Sequence, residues 1–203
     1  IASMRLIGPK YPCSGYGGSF FRWLYSDRPK PYDSYGNGAA MRISPVAYIA
    51  TSLADVKKYS RAVTETTHNN IEGIKGAEAV ASAIFLARSG KTQTEIRDYI
   101  RHNYYPLNFT LDEIRPTYEF DSSCQGTVPQ AIVAFLEANS FEDAIRNAIS
   151  IGGDADTIAA ITGSIAEAYF SIPEEIAEKA LLYLDELQLD ILQRFENFRK
   201  GLR

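Results

Sequence analysis

Apolar residues recur at helical spacing along most of the chain. In the longest such segment, 71–89, they return every three or four positions, and Arg88 with Gly90 marks its end. No run alternates apolar and polar residues as a half-buried strand would, and no internal repeat is present. The pattern predicts an all-α fold, a compact bundle of orthogonally packed helices, with residues 1–203 forming one domain. Other helices are predicted over 19–25, 38–50, 54–66 and 173–198. Three more are predicted from their start signals: one after Thr92, which is spaced from Glu95 as in a capping box, one that starts at Gly126 and Pro129 and continues to Leu136, and one capped by Ser140.

Glycine- and proline-rich segments separate these helices. Residues 1–37, apart from the helical piece within them, and residues 102–125 are predicted as loops. Binding and catalytic residues are commonly carried by loops on a rigid scaffold, so the site is expected in such segments and at helix starts. Candidate functional residues cluster at 15–18, 32–38, 67–70, 122–129 and 152–157.

A turn of two glycines, two carboxylates and a hydroxyl carries the strongest candidate chemistry. Gly152 and Gly153 can adopt positive φ and turn the chain sharply between two helices. Asp154 or Asp156 can cap the second helix, whose positive end favours negative charge. With Thr157, the two carboxylates also offer hard oxygen ligands of the kind that Mg²⁺, Ca²⁺ or Mn²⁺ takes. A simple helix cap and a metal site are both compatible with this spacing.

Three other loops carry groups suited to a nucleotide. Backbone N–H groups of 14–18, beside a helix start, can cradle a phosphate, although a flexible turn has the same composition. Tyr32 and Tyr35 flank a glycine-rich turn and can hold an aromatic ring by stacking. His68 can donate a hydrogen bond to a ligand at the start of the next helix, or serve as a surface or capping residue. Arg42 is interpreted as a structural ion-pair partner rather than a ligand contact.

Composition narrows the class of protein. The net charge of −4 gives no general attraction to nucleic acid or to anionic membranes, and no apolar run is long enough to span a bilayer. Cys13 and Cys124 are the only cysteines, with no Cys-x-x-Cys motif, so a reducing, cytoplasmic setting is expected. The first residues, Ile-Ala-Ser-Met, indicate either a remnant before a start at Met4 or a piece of a longer protein.

Four stretches, taken in order, resemble one known family. They are Ser34 to Arg42, Thr67 to Asn69, Ser123 to Pro129 and Gly152 to Thr157. From about Cys13 to the C-terminal helix, the chain is similar to the ADP-ribosylglycohydrolases. The resemblance implies an all-α fold of that type and hydrolysis of the N- or O-glycosidic bond between ADP-ribose and a modified side chain or small molecule. It also implies two bound Mg²⁺ or Mn²⁺ ions.

The resemblance also assigns roles to individual residues. Asp154, Asp156 and Thr157 match one half of the metal site, and the two aspartates are the catalytic candidates. ADP-ribose or an ADP-ribosylated substrate is the implied ligand. The resemblance implies that Gly15, Gly17 and Gly18 form a turn that contacts the diphosphate. It implies that Ser34, Tyr35, Gly36 and Asn37 form a loop that holds the distal ADP-ribose, and that His68 lies near the ribose or phosphate. Cys124 and Gly126 are further implied substrate contacts.

One family feature is missing from the sequence. The family begins with a glycine-rich helix and a Thr-Asp-Asp-Thr motif that completes the metal site, whereas this chain has no Asp-Asp pair. The chain is therefore expected to lack the N-terminal helices. The missing part then lies in a longer product or another chain, or a second copy of the chain completes the site as a homo-oligomer. Alternatively, the protein binds ADP-ribose with weak or no catalysis, or is a helical interaction scaffold.

Overall fold

The computed structural model describes residues 1–201, which form α-helices joined by loops. Within these residues there is no strand, and the only extended pairing is an isolated antiparallel bridge between Gly36 and Ser123. The all-α prediction is confirmed. The helices are α1 (Ala2–Ile7), α2 (Gly18–Leu24), α3 (Gly38–Met41), α4 (Ser44–Ile49), α5 (Leu53–Thr64), α6 (Ile71–Arg88), α7 (Gln93–Asn103), α8 (Leu111–Ile114), α9 (Cys124–Leu136), α10 (Phe141–Ser150), α11 (Ala155–Phe170), α12 (Glu174–Leu181) and α13 (Glu186–Gly201), with a 3₁₀ turn at Gly8–Lys10.

Helix α6 is the centre of the fold and contacts α3, α4, α5, α7, α9 and α11. It can be enclosed on most sides because it carries small residues where neighbouring backbones approach. A Cβ added at Gly76 would lie 2.6 Å from the Sγ of Cys124, so glycine sets the distance between α6 and the start of α9. The N-terminus of α9, which carries candidate site residues, is thereby held against the core. No helix within residues 1–201 combines the length and apolar character needed to cross a membrane.

Two helices predicted as continuous are each broken in the structure. The segment 38–50 forms α3 and α4, because Pro45 has no N–H to continue the first helix and is tolerated only near the start of the second. The segment 173–198 forms α12 and α13. The carboxylate of Asp185 accepts from the backbone N–H of Gln188 at 2.9 Å, and the Gln188 side chain accepts from the Asp185 N–H at 3.0 Å. These reciprocal bonds start a new helix.

Two segments predicted as loops contain short helices. The first residues, which precede the first proline, form α1. In the connection 102–125, Thr110 and Glu113 form a capping box that starts α8. That spacing matches the one at Thr92 and Glu95, where the predicted capping box is present at the start of α7. The predicted cap of α10 is also confirmed, since the Ser140 side chain accepts from the N–H of Asp143.

Candidate active site

The acidic turn lies between α10 and α11 and has the backbone predicted for its glycines. Gly152 and Gly153 have φ values of 73° and 66°. A Cβ at Gly153 would lie 2.4 Å from Cε1 of Tyr118, so the ring of Tyr118 also requires glycine there. The turn places Asp154 at the N-cap position of α11.

The side chain of Asp154 does not cap α11, although it lies at the cap position. Its Oδ2 instead accepts a hydrogen bond from Nδ2 of Asn37 at 2.6 Å. Asp156, in the first turn, accepts from the neighbouring N–H of Thr157 at 3.0 Å. Of the two predicted caps, Asp154 therefore occupies the N-cap position, but its side chain binds another loop in place of a backbone N–H of the helix.

Asn37 joins three loops of the candidate site. Its buried amide donates to Asp154 and, at 3.0 Å, to Oγ1 of Thr127. The Thr127 hydroxyl donates in turn to the backbone carbonyl of Asp121 at 2.9 Å. Members of the separately predicted clusters 32–38, 122–129 and 152–157 are thus brought together. Thr127 lies within one of the stretches that carried the family resemblance, but the sequence alone gave it no role.

The bridge between Gly36 and Ser123 fixes the first two of these loops by their backbones. The N–H of Asn37 donates to Ser122 O, and the N–H of Cys124 donates to Tyr35 O, both at 2.8 Å. The Cys124 thiol lies beneath the loop, is fully buried and donates to Gly36 O at 3.2 Å. Burial raises the pKa of this thiol to about 12, so it is protonated at neutral pH.

The remaining residues of these loops shape the surface above that bridge. The hydroxyl of Ser34 accepts from the N–H of Gly36 at 3.2 Å, and Tyr35 is 55% exposed and available for stacking. Gly126 packs against Asp121, since a Cβ there would lie 1.9 Å from Oδ2 of that aspartate. The Gly126 carbonyl accepts from the hydroxyl of Tyr118 at 2.8 Å.

Tyr118 connects the acidic turn to the start of α9, and the sequence analysis missed it. Its ring lies against Gly153 while its hydroxyl binds Gly126, and burial raises the pKa of Tyr118 to about 12. The segment around it showed no pattern from which this contact could be predicted.

His68 is buried and faces the glycine-rich loop. A Cβ at Gly36 or at Gly38 would lie 3.7 Å from its Nε2. Its Nδ1 lies 2.7 Å from the hydroxyl of Thr67, which accepts in turn from the Arg42 guanidinium at 2.5 Å. The Arg42 guanidinium, which can only donate, also lies 3.4 Å from Nδ1, so Nδ1 is assigned as the acceptor and the imidazole proton to Nε2, which faces the loop.

Burial, with the nearby charge of Arg42, lowers the pKa of His68 to about 4, so the ring is neutral at pH 7. The alternative of a surface or capping role is wrong, since Asn70 caps α6. Arg42 has a structural role as predicted, but its partners are Thr67 and the ring of Phe20, 5.7 Å from the guanidinium carbon. Among residues 1–201, no carboxylate forms an ion pair with it.

The two aspartates share one electrostatic environment. Partial burial raises the pKa of Asp154, and the neighbouring carboxylate of Asp156 raises it further. The pKa of Asp156 is lowered because its carboxylate accepts hydrogen bonds from Asp154 and from the N–H of Thr157. The shifts run in opposite directions, toward the protonated form for Asp154 and toward the ionised form for Asp156.

The turn at Gly15, Gly17 and Gly18 is exposed and leads into α2. Gly15 has a φ of 67°, which permits a tight turn. Within residues 1–201, no hydrogen bond links these glycines to the acidic turn. The ring of Tyr32 packs on the ring of His68, with 6.0 Å between centroids, so one of its faces is already occupied and cannot stack on a ligand.

The donors suited to a divalent cation are the carboxylates of Asp154 and Asp156 and the hydroxyl of Thr157. These are hard oxygen ligands and fit part of an octahedral Mg²⁺ or Mn²⁺ shell. In the described part of the chain, no three His, Cys, Asp or Glu side chains converge as a potential metal site. The arrangement therefore matches a partial ligand set.

The fold and the candidate site together define a class of protein: an all-helical one in which a glycine-rich loop meets an acidic turn. The chain matches the sequence profile described as ADP-ribosylglycohydrolase over residues 5–199 and belongs to the ADP-ribosylglycohydrolase family. The resemblance inferred from the four stretches is confirmed.

Individual relatives agree with this assignment. The chain is 29% identical to the ADP-ribosylhydrolase ARH3 of Bos taurus, over 71% of this chain and 52% of that protein. It is 28% identical to the ADP-ribosylarginine hydrolase Tri1 of Pseudomonas putida (strain GB-1), over 71% of this chain and 42% of that protein. A solved structure titled ADP-ribosylglycohydrolase-related protein complex has the same fold, with a TM-score of 0.68 and 23% identity, covering 99% of this chain and 76% of that one. The chain spans about half the length of the curated ARH3 relatives that it matches.

Proposed function

We propose that this chain carries the nucleotide-holding part of an ADP-ribosylglycohydrolase, which hydrolyses the glycosidic bond between ADP-ribose and an acceptor. The observation that supports this most directly is the hydrogen bond between Asn37 and Asp154. It joins the loop suited to the nucleotide to the carboxylates suited to a cation next to the ribose. Membership of the family supplies the reaction class.

The substrate-binding roles follow from what each group can donate. In this proposal, backbone N–H groups of the exposed turn at Gly15, Gly17 and Gly18 bind the diphosphate, and the exposed ring of Tyr35 stacks on adenine. His68 donates from Nε2 to an oxygen of the substrate, and its lowered pKa keeps the ring neutral at pH 7. Asn37 orients Asp154 through the hydrogen bond to Oδ2.

The proposed cofactor is Mg²⁺ or Mn²⁺, with two ions in a complete family member, held here by Asp154, Asp156 and Thr157. When bound, such an ion polarises ribose hydroxyls and a nucleophilic water. Three protein oxygens are fewer than the six positions of one octahedral ion, so water and substrate oxygens or a further protein segment must supply the others. The proposed partners are accordingly an ADP-ribosylated substrate and either a further segment or a second copy of the chain.

A second candidate function is ADP-ribose binding without cleavage. It is favoured by the finding that only two carboxylates meet at the acidic turn among the described residues. Both functions predict ADP-ribose binding, and only the hydrolase predicts release of ADP-ribose from an acceptor.

Calorimetric titration with ADP-ribose, with and without Mg²⁺, tests the shared part of the proposal. We expect binding that Mg²⁺ strengthens, and loss of the Mg²⁺ effect in Asp154→Asn and in Asp156→Asn. Asp98→Asn is the matched control, because this substitution removes the same charge from an exposed position on α7. The absence of heat in the wild-type protein under both conditions would reject both candidates.

Release of ADP-ribose from arginine- and serine-modified peptides separates the two functions. Turnover by the wild-type chain that is lost in Asp154→Asn and kept in Asp98→Asn supports the hydrolase. Binding without turnover, even at high protein concentration, supports the binding protein.

A further inference from the structure

A cleft lies between α2 and the loop that follows it. It has a volume of about 300 Å³ and is lined by three cationic side chains, those of Arg22, Arg28 and Lys30. Of the residues in the candidate active site, only Tyr32, which packs on His68, reaches this cleft. The cleft is therefore a separate surface that adjoins the candidate active site.

The three cations form no ion pair in the described part of the chain. All three are exposed, and none forms an ion pair with a carboxylate of residues 1–201. Other exposed arginines of the chain do pair, such as Arg61 with Glu65 and Arg146 with Glu142. A chain with a net charge of −4 thus concentrates three unneutralised positive charges in one concave surface. Such a concentration attracts anions, because the potentials of like charges add in a cleft.

Two hydroxyls hold the cleft in shape. The guanidinium of Arg22 donates to Oγ of Ser19, and the backbone N–H of Arg28 donates to Oγ of Ser26, both at 3.2 Å. Pro29, between two of the cations, has a fixed φ and limits the conformations of the loop. The cations are therefore carried by a backbone that is partly ordered before a ligand binds.

The wall of the cleft also contains a donor without an acceptor. Trp23 lines the cleft but is only 3% exposed, and its indole N–H has no hydrogen-bond partner within residues 1–201. A buried donor without a partner is destabilising. The indole nitrogen is itself buried, so Trp23 contributes its ring to the wall of the cleft and the polar contacts are left to the three cations.

We propose that Arg22, Arg28 and Lys30 form a binding site for a phosphate-bearing ligand, distinct from the candidate active site. Guanidinium groups bind phosphate oxygens through paired N–H donors, and lysine adds a compact charge. The phosphate belongs either to a free small molecule or to the acceptor side of a modified substrate, whose nucleotide occupies the neighbouring site. Binding of a free phosphate ligand does not depend on the proposed hydrolase activity.

The probe for this site is inorganic pyrophosphate, titrated into the full chain in the presence of excess ADP-ribose. Wild-type protein is compared with Arg22→Gln/Arg28→Gln and with the control Lys58→Gln/Lys179→Gln, which removes the same charge from exposed positions on α5 and α12. We expect affinity to fall by at least about tenfold in the arginine variant, since each lost charge-assisted hydrogen bond weakens binding strongly. The control should stay within about twofold, and ADP-ribose binding should be unchanged in both.

Equal pyrophosphate affinity in the wild type and the arginine variant would overturn the proposal, as would the absence of binding to the wild type. A matching thermal midpoint shows that the arginine variant is folded. The source of the phosphate is then identified with ADP-ribosylated peptides that carry, or lack, a phosphoserine. A gain in affinity from the phosphoserine that disappears in the arginine variant supports the acceptor, whereas pyrophosphate binding without such a gain supports a free ligand.

Discussion

Replacing Gly153 with alanine tests whether the acidic turn is fixed by the ring of Tyr118. Gly152 is the matched position, because the two glycines have similar φ values of 73° and 66°. A Cβ at Gly152 meets nothing within 4 Å, whereas one at Gly153 would lie 2.4 Å from the Tyr118 ring and 3.1 Å from the carbonyl of Glu119. The two substitutions share the backbone strain and differ in the overlap.

The expected magnitudes follow from these two contributions. An alanine in the left-handed region costs about 1–2 kcal/mol, which is the whole expected effect of Gly152→Ala. Overlap with a packed side chain adds about 1–3 kcal/mol at Gly153. The ring cannot move away freely, because the Tyr118 hydroxyl donates to Gly126 O at 2.8 Å. Gly153→Ala should therefore destabilise the protein by about 2–5 kcal/mol in total.

Urea unfolding at equilibrium measures both costs. The same pair of substitutions is then made in a Tyr118→Leu background, in which the ring edge that meets Gly153 is removed. There the excess cost of Gly153→Ala over Gly152→Ala should largely disappear, since the two residues are coupled by direct contact. Equal costs for the two glycines in the wild-type background, or an excess that persists without the ring, would refute the reasoning.

Three further predictions concern the histidine, the asparagine and the central helix. The folded-state pKa of His68, about 4, lies below its ordinary value of 6.5, so stability present above pH 6.5 should fall by up to about 3 kcal/mol as the pH falls toward 4. Urea unfolding across this range should show the loss in the wild type but not in His68→Gln, and parallel curves would contradict it. Asn37→Leu should lower the free energy of unfolding by about 1–3 kcal/mol. It should also raise the pKa of Asp154 further, because a hydrogen bond to the charged form is lost. An Asp154 titration by NMR that is unchanged in the variant would count against this. Gly76→Ala should cost about 1–3 kcal/mol in urea unfolding through overlap with Sγ and Cβ of Cys124, and Cys124→Gly, which removes both atoms, should relieve it; additive effects would disprove the contact.

The sequence predicts the helices best where the end signals are local. The capping box at Thr92 and Glu95 lies within one turn, and the structure contains it. The division of 173–198 was not predicted, because apolar residues continue at helical spacing while the break depends on the reciprocal bonds of Asp185 and Gln188. The spacing of apolar residues indicates which face of a helix is buried, but it does not reveal a short break in the helix.

The candidate site was predictable in its parts rather than in its connections. Positive φ at the twin glycines follows from residue type alone. The bond between Asn37 and Thr127 joins residues 90 positions apart, and the contact of Tyr118 with Gly153 likewise depends on how separate helices pack. No local pattern encodes such contacts, so the role of Tyr118 emerged only from the three-dimensional structure.

The pairing of Gly36 with Ser123 makes this loop a practical target for redesign. Since main-chain bonds determine its course, the exposed side chains of Tyr35 and Gln125 can be randomised with little risk to the architecture. A combinatorial library at these two positions would therefore explore new ligand preferences on an unchanged framework.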